Sequence, residues 1–406
     1  MRESSAVFWI PVFTGMTLRY TIRMRLSPLL TIYVVVFFYT LHVALPVYTN
    51  SSFLATLVSE KTVGLIYGGA SLLTIFALIL IPKLLRLVGD YFTTLLFIIL
   101  EIATLIGIAA FDTPLLIIAL FVISQVLITL ISFDFDLIVE GFSKNASTGS
   151  IRGLYLTSAN IAWVMAPALA ALIIVGSEYW RVYIAAAALF IPGLLIFATK
   201  LEHFKDPLYR TIHFRKTLQA VWKNKNLRYI FGISFLLQFF FTIMVIYTPI
   251  YLHDHIGFAW SELGLIFSIM LVPFLLLEAP LGRLADKRLG EKELLIAGFL
   301  VLALATGAIY FFTAHVFALW AAILFMTRVG AAMVEVMTET YFFKKVDGGD
   351  ASIVGLNRTV RPFAGVMGPL VATALLAYIS LPSLFLALGG FMLLGIPLAA
   401  LLKDTK

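Results

Sequence analysis

The stretch SIRGLYLTSANIAWVMAPALAAL, residues 150–172, returns as SIVGLNRTVRPFAGVMGPLVATA at 352–374. Gly153 and Gly355, Ala162 and Ala364, Met165 and Met367, and Pro167 and Pro369 fall in register. Shorter echoes keep nearly the same offset: GLIYG at 64 against GLIFS at 264, LPVY at 45 against TPIY at 248, and Gly89-Asp90 against Gly290-Glu291. The chain therefore contains an internal duplication. What it builds depends on the solvent around it and on how many membrane crossings separate the copies.

Composition decides the solvent. Hydrophobic residues make up 61% of the 406 and charged residues only 13%, whereas a soluble domain has about half and about a quarter. This is an integral membrane protein. Apolar stretches of about 20 residues, the length that crosses a hydrocarbon core of about 30 Å, fall at 27–48, 62–82, 91–111, 115–139, 151–175, 180–199, 228–251, 262–281, 292–312, 316–338, 352–378 and 383–402. Six crossings per copy is an even number, so both copies share one orientation and are related by an axis along the membrane normal. The prediction is an all-α membrane protein of twelve transmembrane helices in two six-helix bundles. The bundles span 27–199 and 228–402, joined by a polar central loop at 200–227 and followed by a short tail at 403–406. Residues 1–26, whose apolar run is broken by Pro11, read as a disordered cytoplasmic leader without a signal-peptide cleavage site.

Of the 29 Lys and Arg, 24 fall on the side of the termini, Lys61 and Arg181 fall opposite, and Arg328, Arg358 and Arg361 lie within spans. Cationic loops stay cytoplasmic. The expectation is a multi-pass protein of the inner (plasma) membrane with both termini in the cytoplasm, monomeric, surrounded by lipid. The net charge of +7 then reports topology and not nucleic-acid binding. The lack of cysteine excludes disulfides and thiolate metal sites, and His253-Asp254-His255 reads as an exposed loop, so neither metal nor cofactor is expected. No Gly-Lys dipeptide occurs, which excludes a P-loop and direct use of ATP, and nothing resembles a catalytic triad. The sequence does not read as an enzyme.

An ionisable group at bilayer depth is costly and marks a cavity or a partner. Counting about 1.5 Å per residue, Glu101, Gln125, Gln238, Arg328 and Arg361 reach the middle of their spans. Transporter sites of duplicated bundles lie at that depth. Tyr33 and Phe37, with His42, are the first span's candidates for the same cavity. Asp134 and Glu335 are equivalent in the duplication and sit nearer the cytoplasmic ends; Asp136 with Glu140, and Glu335 with Glu339, share helix faces. Arg358 is expected to meet Glu335 or Glu339, and Arg361 is left for Glu101, Asp134 or a substrate. Pro362 is expected to weaken the helix beside both arginines. Small residues every four positions, Ser158, Ala162, Ala166 and Ala170 in span five and Ala364, Gly368 and Ala372 in span eleven, are expected to bring backbones together at the seam between the bundles.

The stretch GRLADKRLGEK, 282–292, closely resembles motif A of the major facilitator superfamily, carried here by Gly282, Asp286, Lys287, Gly290 and Lys292. TRVGAA at 327–332 resembles the family's motif B, and Gly355 with Gly365-Val-Met-Gly-Pro369 resembles its antiporter signature. The resemblance covers essentially residues 27–402, on the drug/proton antiporter-like side of the family. It implies the major facilitator fold and a cavity formed by Tyr33, Phe37, Gln125, Gln238, Arg328 and Arg361. Glu101, Asp134, Arg328 and Glu335 are the proton-coupling candidates. The implied cytoplasmic gate comprises Arg152, Gly282, Arg283, Asp286, Arg288, Gly290, Arg358 and Glu339. The implied function is a secondary active transporter of a small organic solute, coupled to protons and exporting by antiport. The alternatives are symport or exchange of an organic anion, and a sensor or scaffold that keeps the fold without transport.

Overall fold

In the computed structural model the described residues are 6–9, 19–22, 28–142, 148–201, 214–287, 290–346 and 351–403. Apolar stretches in lipid satisfy their backbone groups internally as helices, and this chain does so sixteen times among the described residues. The helices are α1 (Pro28–Val47), α2 (Asn50–Leu57), α3 (Glu60–Val88), α4 (Asp90–Ala110), α5 (Pro114–Phe142), α6 (Thr148–Ile173), α7 (Trp180–Lys200) and α8 (Phe214–Lys223), then α9 (Lys225–Ile250), α10 (Trp260–Lys287), α11 (Glu291–Ala308), α12 (Phe317–Lys345), α13 (Ala351–Arg358), α14 (Val360–Leu375), α15 (Leu381–Met392) and α16 (Gly395–Ala400). Ahead of them Ala6–Trp9 pairs antiparallel with Arg19–Ile22, a short ladder within the segment read from sequence as a disordered leader.

Ten helices among the described residues are long and apolar enough to cross a membrane. The other two expected crossings are α6, whose described apolar part is Thr157–Ile173, and the pair α13–α14. The eleventh crossing is interrupted at Thr359 for a local reason. Pro362 has no N–H to give the Arg358 carbonyl, and its ring crowds that carbonyl. The ladder tightens there, with Thr359 N–H and Oγ1 both donating to Leu356 O, at 3.0 and 2.7 Å.

Packing repeats along with sequence. In the first half α1 lies on α6, α3 on α5, and α4 on α5 and α7; in the second, α9 lies on α14, α10 on α12, and α11 on α12 and α15. These are the same neighbours moved on by six crossings. The corners repeat too. Gly89 and Gly290 carry φ of 85° and 98°, the left-handed region that glycine enters without steric cost. Each is followed by a buried acid opening the next helix, Asp90 and Glu291. Lys344 Nζ reaches Glu291 Oε1 at 2.5 Å.

Between the halves, α6 meets α10 and α14 meets α3, one pair being the other under the duplication. At the first contact a Cβ added to Gly264 would strike the Ala171 Cβ and come within 2.6 Å of Pro167 O; at the second, one added to Gly64 would strike the Tyr247 hydroxyl and come within 2.5 Å of Thr373 Oγ1 and 3.3 Å of Pro369 O. The stripe expected at this seam lies elsewhere. Ala162 and Ala166 pack with Leu41 and Ala44 of α1, Ser158 Oγ donates to Tyr33 O at 2.9 Å, and Gly368 faces Thr242 and Ile243 of α9. Ser158, Ala162 and Ala166 thus bind α6, and Gly368 binds α14, to the first helix of its own half, while Ala170 lines a small cavity at the seam with Gly264 and Phe267. The seam is made one residue further round, a rotation of about 100° on a helix of 3.6 residues per turn, by Pro167 with Ala171 and Pro369 with Thr373.

This geometry orders three alanine substitutions. Gly264→Ala meets a backbone carbonyl and should cost about 1–3 kcal/mol of overpacking. Gly64→Ala meets movable hydroxyls and should cost less, and Gly69→Ala, with nothing within 4 Å, should leave the melting temperature in detergent unchanged. Equal melting of Gly264→Ala and Gly69→Ala would contradict the seam assignment.

Candidate functional site

Helix polarity puts both termini on one face of the bundle and the loops after α1, α4, α6, α9, α11 and α14 on the far face. The halves are joined tightly on the far face. Tyr48 stacks obliquely on Phe267 with ring centroids 4.9 Å apart, and Tyr179 meets Trp260 edge-on at 5.8 Å. Thr373 Oγ1 donates to Lys61 O at 3.2 Å, and His255 Nε2 lies 2.8 Å from Glu60 Oε1. Those contacts, with the Gly64 and Gly264 approaches, close that side. Deeper in the seam the Ala168 N–H donates to Ser268 Oγ at 3.1 Å.

Towards the face of the termini the described link is of another kind. Arg358 Nη1 lies 3.6 Å from Asp136 Oδ2, each side chain about one-third exposed. Arg361 and Glu339 are exposed, while Tyr33, Gln125, Gln238 and Glu335 are half-buried. The seam thus holds at one end through packed backbone and aromatics, and at the other through a partly solvated ion pair.

Arg358 was expected to pair with Glu335 or Glu339 inside its own half; it reaches Asp136 on α5 of the other half instead. Arg361 does not meet the acids expected for it. Glu101 accepts from Ser124 Oγ at 2.7 Å and lies 3.8 Å from His42 Nε2. Asp134, fully buried, accepts from Thr94 Oγ1 at 3.0 Å, with Asp90 Oδ1 3.2 Å from the same hydroxyl. Glu101 sits on α4, which packs on α5 and α7. Of the cavity expected of Tyr33, Phe37, Gln125, Gln238, Arg328 and Arg361, Gln125 and Arg328 lie in two different places.

The first place is inside the N-terminal half, a small cavity lined by His42, Asn50, Glu101, Ser124, Gln125 and Tyr183 among others. The Tyr183 hydroxyl donates to Asn50 Oδ1 at 2.7 Å, and the His42 ring stacks on Phe190 with centroids 3.9 Å apart and 6° between planes. The second is at the seam beneath the far-face aromatics. Arg328 is 1% exposed, its guanidinium carbon lies 5.3 and 5.5 Å from the Phe240 and Phe241 ring centres, and it faces the Tyr48 hydroxyl from across the seam. Its Nε and Nη1 have no hydrogen-bond partner. Phe37 is half-buried with the α1–α6 packing, beside neither place.

Gly290 forms its corner as described, and Gly282 lies within α10 with open space around it. Arg152, Arg283, Asp286 and Arg288 lie outside the residues whose side chains are described. Asn50, Ser124 and Tyr183 are site residues that sequence reading passed over. Their one sequence signal is a polar side chain at the end of, or inside, an apolar run, and many satisfied structural residues give the same signal. Among the described residues no group of His, Asp and Glu has the arrangement of a metal site.

Residues 230–406, the C-terminal half, match the sequence model of the Major Facilitator Superfamily. No curated protein matches the chain. Among solved structures it is similar to a point mutant of the nucleoside transporter NupG, with a TM-score of 0.75 and 16% identity over 93% of this chain and 100% of that one. It is also similar to a bacterial homolog of the human lysosomal transporter Spinster, in an inward-facing and unoccupied conformation, with a TM-score of 0.68 and 12% identity over 92% of each. The chain thus has the fold of the Major Facilitator Superfamily along nearly its whole length and matches that family's sequence model over residues 230–406.

Proposed function

We propose that this protein is a secondary active transporter that moves a small organic solute by alternating access, coupled to protons. The observation that carries the reading is the asymmetry of the seam. Two duplicated contacts, α6 on α10 and α3 on α14, are packed shut at the far face, whereas Asp136 and Arg358 hold the other face by a partly exposed ion pair. A rocking motion about such a seam opens one face as it closes the other. The placement of the Lys and Arg residues supports the termini as cytoplasmic, which makes this arrangement inward-facing.

Resemblance to the antiporter signature supports export in exchange for protons. Arg328 favours a second reading, symport or exchange of an organic anion. A guanidinium buried between two phenylalanine faces, with donors unmatched, suits a flat solute bearing acceptor oxygens or negative charge. Aromatic heterocycles with carbonyl groups fit that description, and the likeness to a nucleoside transporter supports trying nucleosides first.

Proteoliposomes with a trapped pH dye separate the readings. Adding a nucleoside outside should drive protons out and alkalinise the lumen under antiport, and carry protons in and acidify the lumen under symport, while a scaffold leaves the lumenal pH unchanged. Arg328→Ala should reduce transport at least tenfold with solute supplied at the wild-type KM, and Arg328→Lys should recover only part, since an ammonium keeps the charge without the planar fork. Asp136→Asn and Arg358→Gln should each change the melting free energy by no more than about 1 kcal/mol, as expected of a solvated pair, yet alter transport rate; the exchange Asp136→Arg with Arg358→Asp should restore it. Normal rates in both single variants would return the pair to the background.

A further inference from the structure

We infer that His42 and Glu101 form a one-proton binding site inside the N-terminal half, separate from Arg328, whose occupancy decides whether the far face stays closed. The inference deepens the proton-coupled reading above and rests on it. His42 and Glu101 are each 1% exposed, with Nε2 and Oε1 3.8 Å apart. Ser124 supplies one hydrogen bond to Glu101. The second carboxyl oxygen and both ring nitrogens have none.

Proton counting gives the pair its character. A neutral imidazole beside a carboxylic acid and an imidazolium beside a carboxylate hold the same number of protons and have no net charge. Removing that proton leaves one negative charge in an apolar interior with a single hydrogen bond, and adding another leaves one positive charge. Either is costly unless water or a new partner reaches the site. The closed, buried arrangement is therefore the proton-loaded one, and losing the proton favours a conformation in which the cavity opens.

Among the described residues no other Asp, Glu, Lys or Arg lines this cavity. Tyr39 on α1 donates to Ile128 O, its ring 5.3 Å from His42. Tyr67 of α3 packs on Phe121, Tyr183 of α7 is bonded to Asn50, and α6 presents Ala162 and Ala166 towards α1. The charges whose field reaches Tyr39 are Glu101 itself, Arg361 and Asp136. The route to the gate is short. Asn50, which lines the same cavity, opens α2, and α2 packs on α9 of the other half. Tyr48, six residues beyond His42, makes the far-face contacts with Phe267 and Arg328.

The chain has no cysteine, so Asp112→Cys and Ala314→Cys, exposed on far-face loops of opposite halves, can carry spin labels in the full protein reconstituted in lipid. In an otherwise wild-type background, raising the pH should lengthen the label-to-label distance. Glu101→Gln, a neutral shape match, should hold the short distance at every pH. His42→Phe keeps the stacking on Phe190 but removes the partner of the carboxylate, and should alter the pH dependence of the distance. A pH-dependent distance that persists unchanged in both variants would overturn the site while leaving proton coupling intact. Distances independent of pH without either variant would overturn the proton-coupled reading itself, and the site with it.

Discussion

The structure depends on the close approach of backbone to backbone where α10 crosses α6 and α3 crosses α14. Lipid tails are as apolar as the helices, so no hydrophobic force drives one half against the other in a membrane, and contact must come from close packing and hydrogen bonds. Gly264 against Pro167 and Ala171, and Gly64 against Pro369 and Thr373, provide it by omitting side chains. Two such contacts, related by one axis, form a hinge-like seam between the halves.

Polar groups then sort by their distance from that hinge. At the far face Glu60 and His255 are exposed enough to exchange partners with water, as are Asp136 and Arg358 at the other. Pairs so placed contribute little to stability and are free to break. Glu101, His42, Asp134 and Arg328 lie where no water competes, and there each unmatched donor or acceptor is costly. The bundle thus keeps weak electrostatics at its two faces and strong electrostatics in its interior. Arg328 and the His42–Glu101 pair lie in different halves, so a solute at the first and a proton at the second would meet only through α1 and the aromatics it carries to the seam.

Much of this architecture was legible in the sequence. Run length gave the crossings, duplication gave their pairing into halves, and GLIYG with GLIFS placed equivalent glycines at 64 and 264. Pro362 marked the break beside Arg358 because a missing N–H acts locally. The partners of charged residues were less legible. Arg358 was matched by helical periodicity to acids on α12, but its helix breaks at Thr359 and the arginine turns to Asp136. The four-residue stripe of small side chains was read as the seam, but Ala162, Ala166 and Gly368 hold α6 to α1 and α14 to α9.

Taken alone, the sequence determined the solvent, the helices and the two-fold plan, since each follows from residue type at short or regular spacing. Only the tertiary structure decided which face of each helix meets which neighbour. A rotation of one residue, about 100°, moved the seam from Ala166 to Pro167, and helix packing set Glu101 beside His42 in the interior of its own half. In a chain this apolar almost every face is hydrophobic enough to be buried, so periodicity cannot choose among them, and the choice falls to packing between helices far apart in the sequence.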